Sequence, residues 1–213
     1  LGVLIGKSEG DQGLGGAGRD DLDGRTFGLY GTWLGQDGTY ADVSHRWIGI
    51  DARLRSSSAE HRTKTSAQAT NIEVGHVIEM TGGLRIVPQL QYTRTRIDDM
   101  TALRGGGTAF TSEGGTSSRG RVGVTFEKTF LARGFAWSPY GSASAVREFD
   151  GEFGHAIGDG LRGVVGTKGT SAMVELGLTA QRNGLSVSGG LNWADGGSLQ
   201  SVHGGQLTVR YGW

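Results

Sequence analysis

Apolar residues recur at every second position along most of this chain. In "RTFGLYGTWLG" (25–35), Phe27, Leu29 and Trp33 share one face, and Thr26, Tyr30 and Thr32 share the other. A period of two belongs to a strand, not a helix. In "NIEVGHVIEM", Ile72, Val74, Ile78 and Met80 alternate with Glu73, Gly75 and Glu79. The same reading predicts strands over 1–7, 25–35, 39–54, 65–80, 84–97, 119–130, 136–149, 170–182, 185–193 and 205–213. Between them the connections run long, short, long, short. "QDG", "TGG", "LARGF" and "NG" are tight, and Asn-Gly is the strongest short hairpin signal. The stretches near 8–24, 98–118 and 150–169 are long, polar and glycine-rich. They are expected to be mobile loops, because they bury little apolar area against their ordering entropy.

Ten strands with alternating short and long connections predict an all-β fold, an antiparallel up-and-down transmembrane β-barrel. Tilted strands of ~9–11 residues suffice to cross a bilayer. Composition agrees. There are 41 glycines among 213 residues and only two prolines. The glycines are dispersed among Val, Leu, Ile and aromatic residues, which suits strands that bend and approach closely rather than a linker or a collagen repeat. No run of ~18 apolar residues provides a membrane helix. No basic-then-apolar leader opens the chain, so it is expected to begin inside a larger precursor.

A soluble sandwich or lipocalin-like barrel also alternates. Two features favour the membrane barrel. The polar faces carry many charges, among them Glu73, Glu127, Glu175 and Arg210, as a water-filled lumen allows. Aromatics also gather near strand ends. Trp33, Tyr40 and Trp137 lie near the tight turns and Trp193 near the long loops, as in the aromatic girdles of membrane barrels.

The remaining chemistry is sparse. Zero cysteines exclude disulfides and thiolate metal sites, and a formal net charge of zero argues against a nucleic-acid binder. His45, His61, His76, His155 and His203 form no HExxH or metal-spaced cluster, so no metal, cofactor or catalytic residue is assigned. Asp98 with Asp99, and Asp150 near His155, lie by the predicted outer rim, where a barrel protease would place such groups. "GLGGAGR" lacks the strand-to-helix setting of a phosphate loop.

The chain closes on "GQLTVRYGW". Leu207, Val209, Tyr211 and Trp213 alternate with polar or small residues. A last strand is expected to pair with the first, with Trp213 at the interface. Alternation ending on a terminal aromatic resembles the β-signal of outer-membrane proteins. The segments "FGLYGTW", "GTYADV", "IEVGHVIEM", "LRIVPQLQYT", "RGRVGVTFEKTF", "SPYGSASAVREFDGEF" and "VELGLTAQRNGLSVSGGLNW" resemble, in order and over nearly the whole chain, the β-domains of monomeric type Va autotransporters. Within them the likeness is to the group containing pertactin and BrkA.

That resemblance implies a translocator domain over 1–213 in the outer membrane of a Gram-negative bacterium. It would anchor an N-terminal passenger and assist its export to the cell surface, without enzymatic activity of its own. Its partners would be outer-membrane lipid, its passenger, the barrel-insertion machinery and periplasmic chaperones, and it would work as a monomer. The family has twelve strands and a helix in the pore. "LGVLIGK" looks like its third strand, so the helix and first strands are expected to be absent here. An adhesin or resistance barrel acting through its own loops is the alternative, and a barrel protease a lesser one.

Overall fold

Alternation at period two resolves into strands throughout. The computed structural model describes residues 1–13, 19–55, 60–103, 109–158 and 160–212. In chain order the strands are β1 (Gly2–Gly13), β2 (Arg19–Leu34), β3 (Thr39–Arg55), β4 (Glu60–His76), β5 (Ile78–Glu79), β6 (Leu84–Ile97), β7 (Met100–Leu103) and β8 (Ala109–Ser112). There follow β9 (Gly115–Lys128), β10 (Phe130–Ala132), β11 (Phe135–Glu148), β12 (Glu152–Ile157), β13 (Leu161–Gly166), β14 (Gly169–Arg182), β15 (Leu185–Gly196) and β16 (Leu199–Tyr211). The ten long strands form one antiparallel sheet, β1-β2-β3-β4-β6-β9-β11-β14-β15-β16, with β5 and β10 paired to β6 and β11. This is the meander that the ten predicted strands imply.

Turn chemistry fixes the register at the lower end. Arg133 (φ 53°) and Gly134 (φ 77°) form one hairpin turn, and Asn183 (φ 48°) and Gly184 (φ 79°) another. Two successive left-handed residues match the right-handed twist of the flanking strands. Thr129 lies between β9 and β10, and Val77 between β4 and β5. The Val77 N–H donates to the Gly38 carbonyl in the neighbouring turn (2.9 Å), so the strand predicted over 65–80 is interrupted there.

Above the turns, each stave puts apolar residues on one face and polar residues on the other. Rows of ladder partners carry this across the sheet. Trp33, Ala41, Val74, Leu90 and Val122 are successive partners on the apolar face. Leu191, Leu176 and Gly141 continue it on the other side of the sheet. These side chains are exposed in the isolated chain, Leu176 at 64% and Leu90 at 58%. Among the described residues, the buried apolar side chains are only Ala52, Ala67 and Val87. A sheet with so little interior and so continuous an apolar outside is built for a hydrocarbon solvent.

Higher up, the two faces exchange character without a register slip. On β3, Val43 and Trp47 face the apolar side, but so do Asp51 and Arg53 further along. The opposite face changes from Asp42 and Ser44 to Ile48, Ile50 and Ala52. The ladders to β2 and β4 run unbroken through this change. Ile48 is opposite Ala67, and Ala52 opposite Thr63; Ala52, Ala67 and Thr63 are all buried. The outer face there carries charged partners instead, including Lys64 with Asp51 (3.2 Å) and Lys7 with Glu9. The phase change marks the level at which the outside passes from lipid to water.

The long-loop end differs most from expectation. Residues 98–118 contain β7, β8 and the start of β9, and 150–169 contain β12 and β13. The four short strands make a second antiparallel sheet, β13-β12-β8-β7. Thr63 Oγ1 donates to the Thr101 carbonyl (2.8 Å), and the Asp98 N–H to the Ser66 carbonyl (2.9 Å). These bonds lay the segment along the free upper edge of β4. Ordering here comes from backbone and threonine hydrogen bonds rather than apolar burial, so apolar content is a poor guide to it. The 8–24 stretch likewise extends β1 and β2; residues 14–18, within "GLGGAGR", lie outside the described residues. The last connection is a short turn through Gly197, where Asp195 Oδ1 accepts the Gly196 N–H (2.9 Å) beside a bulge.

The expected pairing of last strand with first is not formed among the described residues. β16 pairs only with β15 and β1 only with β2. Val3, Ile5, Leu207 and Val209 on these edge strands are all more than half exposed. The reason is arc length. Ten staves sweep out a curled, partly open wall, two fewer than the twelve that the resemblance implies.

Candidate functional site

The polar face is where chemistry collects. Strand alternation alone puts Glu73, Glu127, Glu175 and Arg210 on it, and the ladders align them with neighbouring polar residues. Several side chains then reach over an intervening strand, which requires the face to curve inward. Tyr40 on β3 donates its hydroxyl to Glu73 Oε1 (2.9 Å) and accepts from Gln89 on β6 (2.9 Å). Arg121 on β9 donates across β6 to Glu73 Oε2 (3.0 Å). Both ends of this ion pair are largely shielded, at 21% and 16% exposure.

A second cluster repeats the first with different residues. Tyr140 on β11 donates to Glu175 Oε1 (2.7 Å), and Gln206 on β16 donates to the same oxygen across β15 (3.0 Å). In both clusters a tyrosine ring lies on a glycine two residues beyond the glutamate. A Cβ at Gly75 would overlap the Tyr40 ring, and one at Gly177 the Tyr140 ring. The absent side chains are what let each ring lie flat and aim its hydroxyl at the carboxylate. The pairing of Gly75 and Gly177 with glutamates on one face is visible in the sequence; the tyrosine from the neighbouring strand is not, because register decides it.

Lower down, Arg85 pairs with Glu127 (3.6 Å). Glu127 and Arg210 line a polar hollow of about 450 Å³ together with Tyr140, Gln181 and Ser188. All four charges singled out in the sequence therefore share one face, but they divide between two tyrosine clusters and this hollow.

The interface aromatics split. Trp33, Trp137 and Trp193 lie on the apolar face. Trp137 Nε1 donates to the Ala132 carbonyl (3.2 Å) and Trp193 Nε1 to Ser201 Oγ (3.2 Å), so each indole has a polar partner beside its apolar surface. Tyr40 does not belong with them. One residue's shift along β3 puts it on the polar face against Glu73, a correction to its expected place in the girdle. Leu207, Val209 and Tyr211 form the apolar edge of β16; Trp213 lies outside the described residues.

The protease alternative gains no geometry. Asp98 is held by Ser66 and lies 3.9 Å from Arg96, while Asp99 accepts the Gly114 N–H (2.6 Å). The His155 ring lies over Gly163. Among the described residues no three His, Asp or Glu side chains are grouped to hold a metal.

A meandering wall with an apolar outside, a polar concave inside and tight turns at one end defines a transmembrane β-barrel of the outer-membrane kind. The particular family follows from comparison. The model of the autotransporter beta-domain matches residues 1–192, and the chain belongs to that family, whose members are outer-membrane β-barrels of Gram-negative bacteria. The pertactin autotransporters of Bordetella bronchiseptica and Bordetella parapertussis are each 27% identical over 220 residues. The alignment covers 100% of this chain but 24% of theirs, so the chain spans about a quarter of their length. Among solved structures, the beta domain of the Bordetella autotransporter BrkA superposes with a TM-score of 0.80 at 20% identity, covering 99% of this chain and 82% of that one. The transport unit of AIDA-I from Escherichia coli gives 0.74 at 19% identity, covering 92% and 68%. The two structures show likeness of fold.

Proposed function

We propose that this chain is the translocator of an autotransporter. It anchors in the outer membrane and assists export of its own passenger through the space bounded by the polar face. The observation that carries this reading is the concave row of Glu73, Arg121, Glu127, Glu175 and Arg210 behind a continuous apolar wall. An extended chain has unpaired N–H and C=O groups that lipid cannot satisfy, and a charged, hydrated surface can. The role needs no bond-making step, and we assign no catalytic residue.

The finer points follow from the same reading. Glu73, Glu127, Glu175 and Arg210 face the aqueous passage. Trp33, Trp137 and Trp193 stand at the lipid interfaces. Leu207, Val209, Tyr211 and Trp213 supply the signal read by the barrel-insertion machinery after periplasmic chaperones deliver the chain, since an unpaired apolar edge suits strand addition. The assembled unit is a monomer.

The test uses the full-length protein with its passenger stalled in transit. A photoreactive residue at Glu175 is expected to crosslink to the passenger, and one at Leu176 is not. Crosslinks from 176 but not from 175 would place the passenger outside this passage.

A further inference from the structure

We propose that the outer face of β4, β6 and β11, at the level where the wall passes from lipid to water, holds phosphate groups of the membrane's own lipid. The outer-face row Val43, Ile72, Tyr92 is apolar. The next row up is His45, Thr70, Arg94 and Ser118, and the one above is Trp47, Gln68, Arg96 and Thr116. Five polar side chains and two arginines thus replace hydrocarbon within two rows, on the face that is apolar below. At the bilayer centre such groups would be costly. At headgroup depth they are favoured, with aromatic neighbours such as Trp47 and Tyr92.

Charge balance points to an anion. Arg94 is exposed and has no ion-pair partner among the described residues. Among the described residues Arg96 has only Asp98, at 3.9 Å, and that carboxylate is already engaged by Ser66. Arg147, next along the rim on β11, lies over the Phe149 ring (5.9 Å) and donates to Thr170 Oγ1 (3.0 Å), without a carboxylate partner among the described residues. Between β6 and β11 stands Gly120, the partner of both Tyr92 and Arg147, and the Phe149 ring packs over it, 3.1 Å from where a Cβ would lie. Higher up, the lysines at 7 and 64 are matched by Glu9 and Asp51. Arg25 and Arg53, also higher on this face, share a hollow with Asp23 and Asp51, so carboxylates accompany the cations there. Across the sheet, β15 and β16 present Trp193, Asp195 and His203 instead. Guanidinium groups hold phosphate oxygens in a planar, bidentate way. His45, whose Nδ1 is 2.8 Å from Thr70 Oγ1, completes a donor-rich margin beside Arg94.

The test extracts the intact protein from outer membranes in mild detergent. Native mass spectrometry then counts the phosphorylated lipid that stays bound. Wild type is expected to retain it. A variant combining R94Q, R96Q and R147Q is expected to retain roughly tenfold less or lower still. The matching lysine variant, R94K with R96K and R147K, should retain more than the glutamine variant and less than wild type, because the charges remain but the planar fork is lost. Equal retention by wild type and the glutamine variant overturns the proposal, as does a wild type that retains none. A second measurement needs no variant. A photoreactive phospholipid in wild-type membranes is expected to label β4, β6 and β11 peptides above Tyr92 most heavily. Even labelling around the outer face overturns the proposal.

Discussion

At the tight-turn end of the sheet the chain reverses by local chemistry. At the other end the stretches 98–118 and 150–169 are ordered by pairings between residues far apart in sequence. Asn183, Gly184 and Gly134 carry left-handed backbone that their own residue types favour, and Arg133 is carried with Gly134 into the same turn. The upper end instead holds its strands by Thr63 to Thr101, Asp98 to Ser66 and the ladder of β12 on β8. The faces differ as well. Below Trp47 the outside is apolar and the inside polar; above it Asp51 and Arg53 are outside and Ile50 and Ala52 inside. One uninterrupted strand therefore serves two solvents. What stabilises a residue depends on its height in the wall as much as on the face it occupies.

The largest expected effect tests that dependence on height. Leu176→Arg places a charge on the outer face of the lower wall and should cost about 2–4 kcal/mol near the midplane. Gly49→Arg lies on the same face above Trp47, with open space around its Cβ position, and should change stability by no more than about 0.5 kcal/mol. Denaturant unfolding of the two variants in lipid vesicles makes the comparison, and equal costs would abolish the boundary.

The polar face allows a similar contrast. Gly177→Ala drives a methyl into the Tyr140 ring and should cost about 1–3 kcal/mol. Gly166→Ala on β13 meets nothing within 4 Å and should be near neutral by the same measurement. A neutral Gly177→Ala would mean that the tyrosine clusters are loosely held.

A smaller effect separates the two kinds of chain reversal. At Gly184 (φ 79°) any side chain is strained, and a Cβ would also overlap the Gly212 carbonyl. Gly184→Ala should therefore cost about 1–2 kcal/mol. Gly10→Ala, in the upper hairpin with open space, should cost little. A Gly10→Ala loss as large as that at Gly184 would show that the upper strands are as tightly specified as the turns.

The smallest effect is one of pH. In the β2–β3 turn, the Thr39 backbone N–H (3.0 Å) and hydroxyl (2.9 Å) hold the Asp37 carboxyl below its usual range. A carboxyl whose pKa is lower folded than unfolded adds stability above the unfolded value, and loses it as pH falls through the folded one. Asp37→Asn should slightly flatten the acid limb of the stability profile and leave the neutral region nearly unchanged. An unchanged acid limb would remove Asp37 from the account.

Legibility in the sequence follows the same division. The lower staves were readable because each has a single phase: Leu176 and Leu178 against Glu175 and Gly177, or Val122 and Val124 against Arg121 and Gly123. The turns were readable because Asn-Gly and Gly-Gly state their backbone geometry. The upper strands were not. On β3 the apolar positions jump from odd to even numbers between Trp47 and Ile48, which destroys a period-two signal taken over the whole strand. In β1 and β2 the upper positions are charges facing water and small residues such as Ser8, Gly10 and Gly24 facing inward, with no apolar alternation to find. The face of Tyr40 is hidden from the sequence for a narrower reason. Its nearness to a strand end was visible, but its face is set by the β3–β4 register, which brings it onto Gly75 and Glu73.

The central claim is that the outer face changes solvent along a single strand. The chain has no cysteine, so single cysteines along β3 report without background. In intact outer membranes, a water-soluble maleimide should label positions 51 and 53 and leave 43 unlabelled, while a lipid-soluble maleimide should label 43. Labelling of 43 by the water-soluble reagent as readily as 51 would contradict the account.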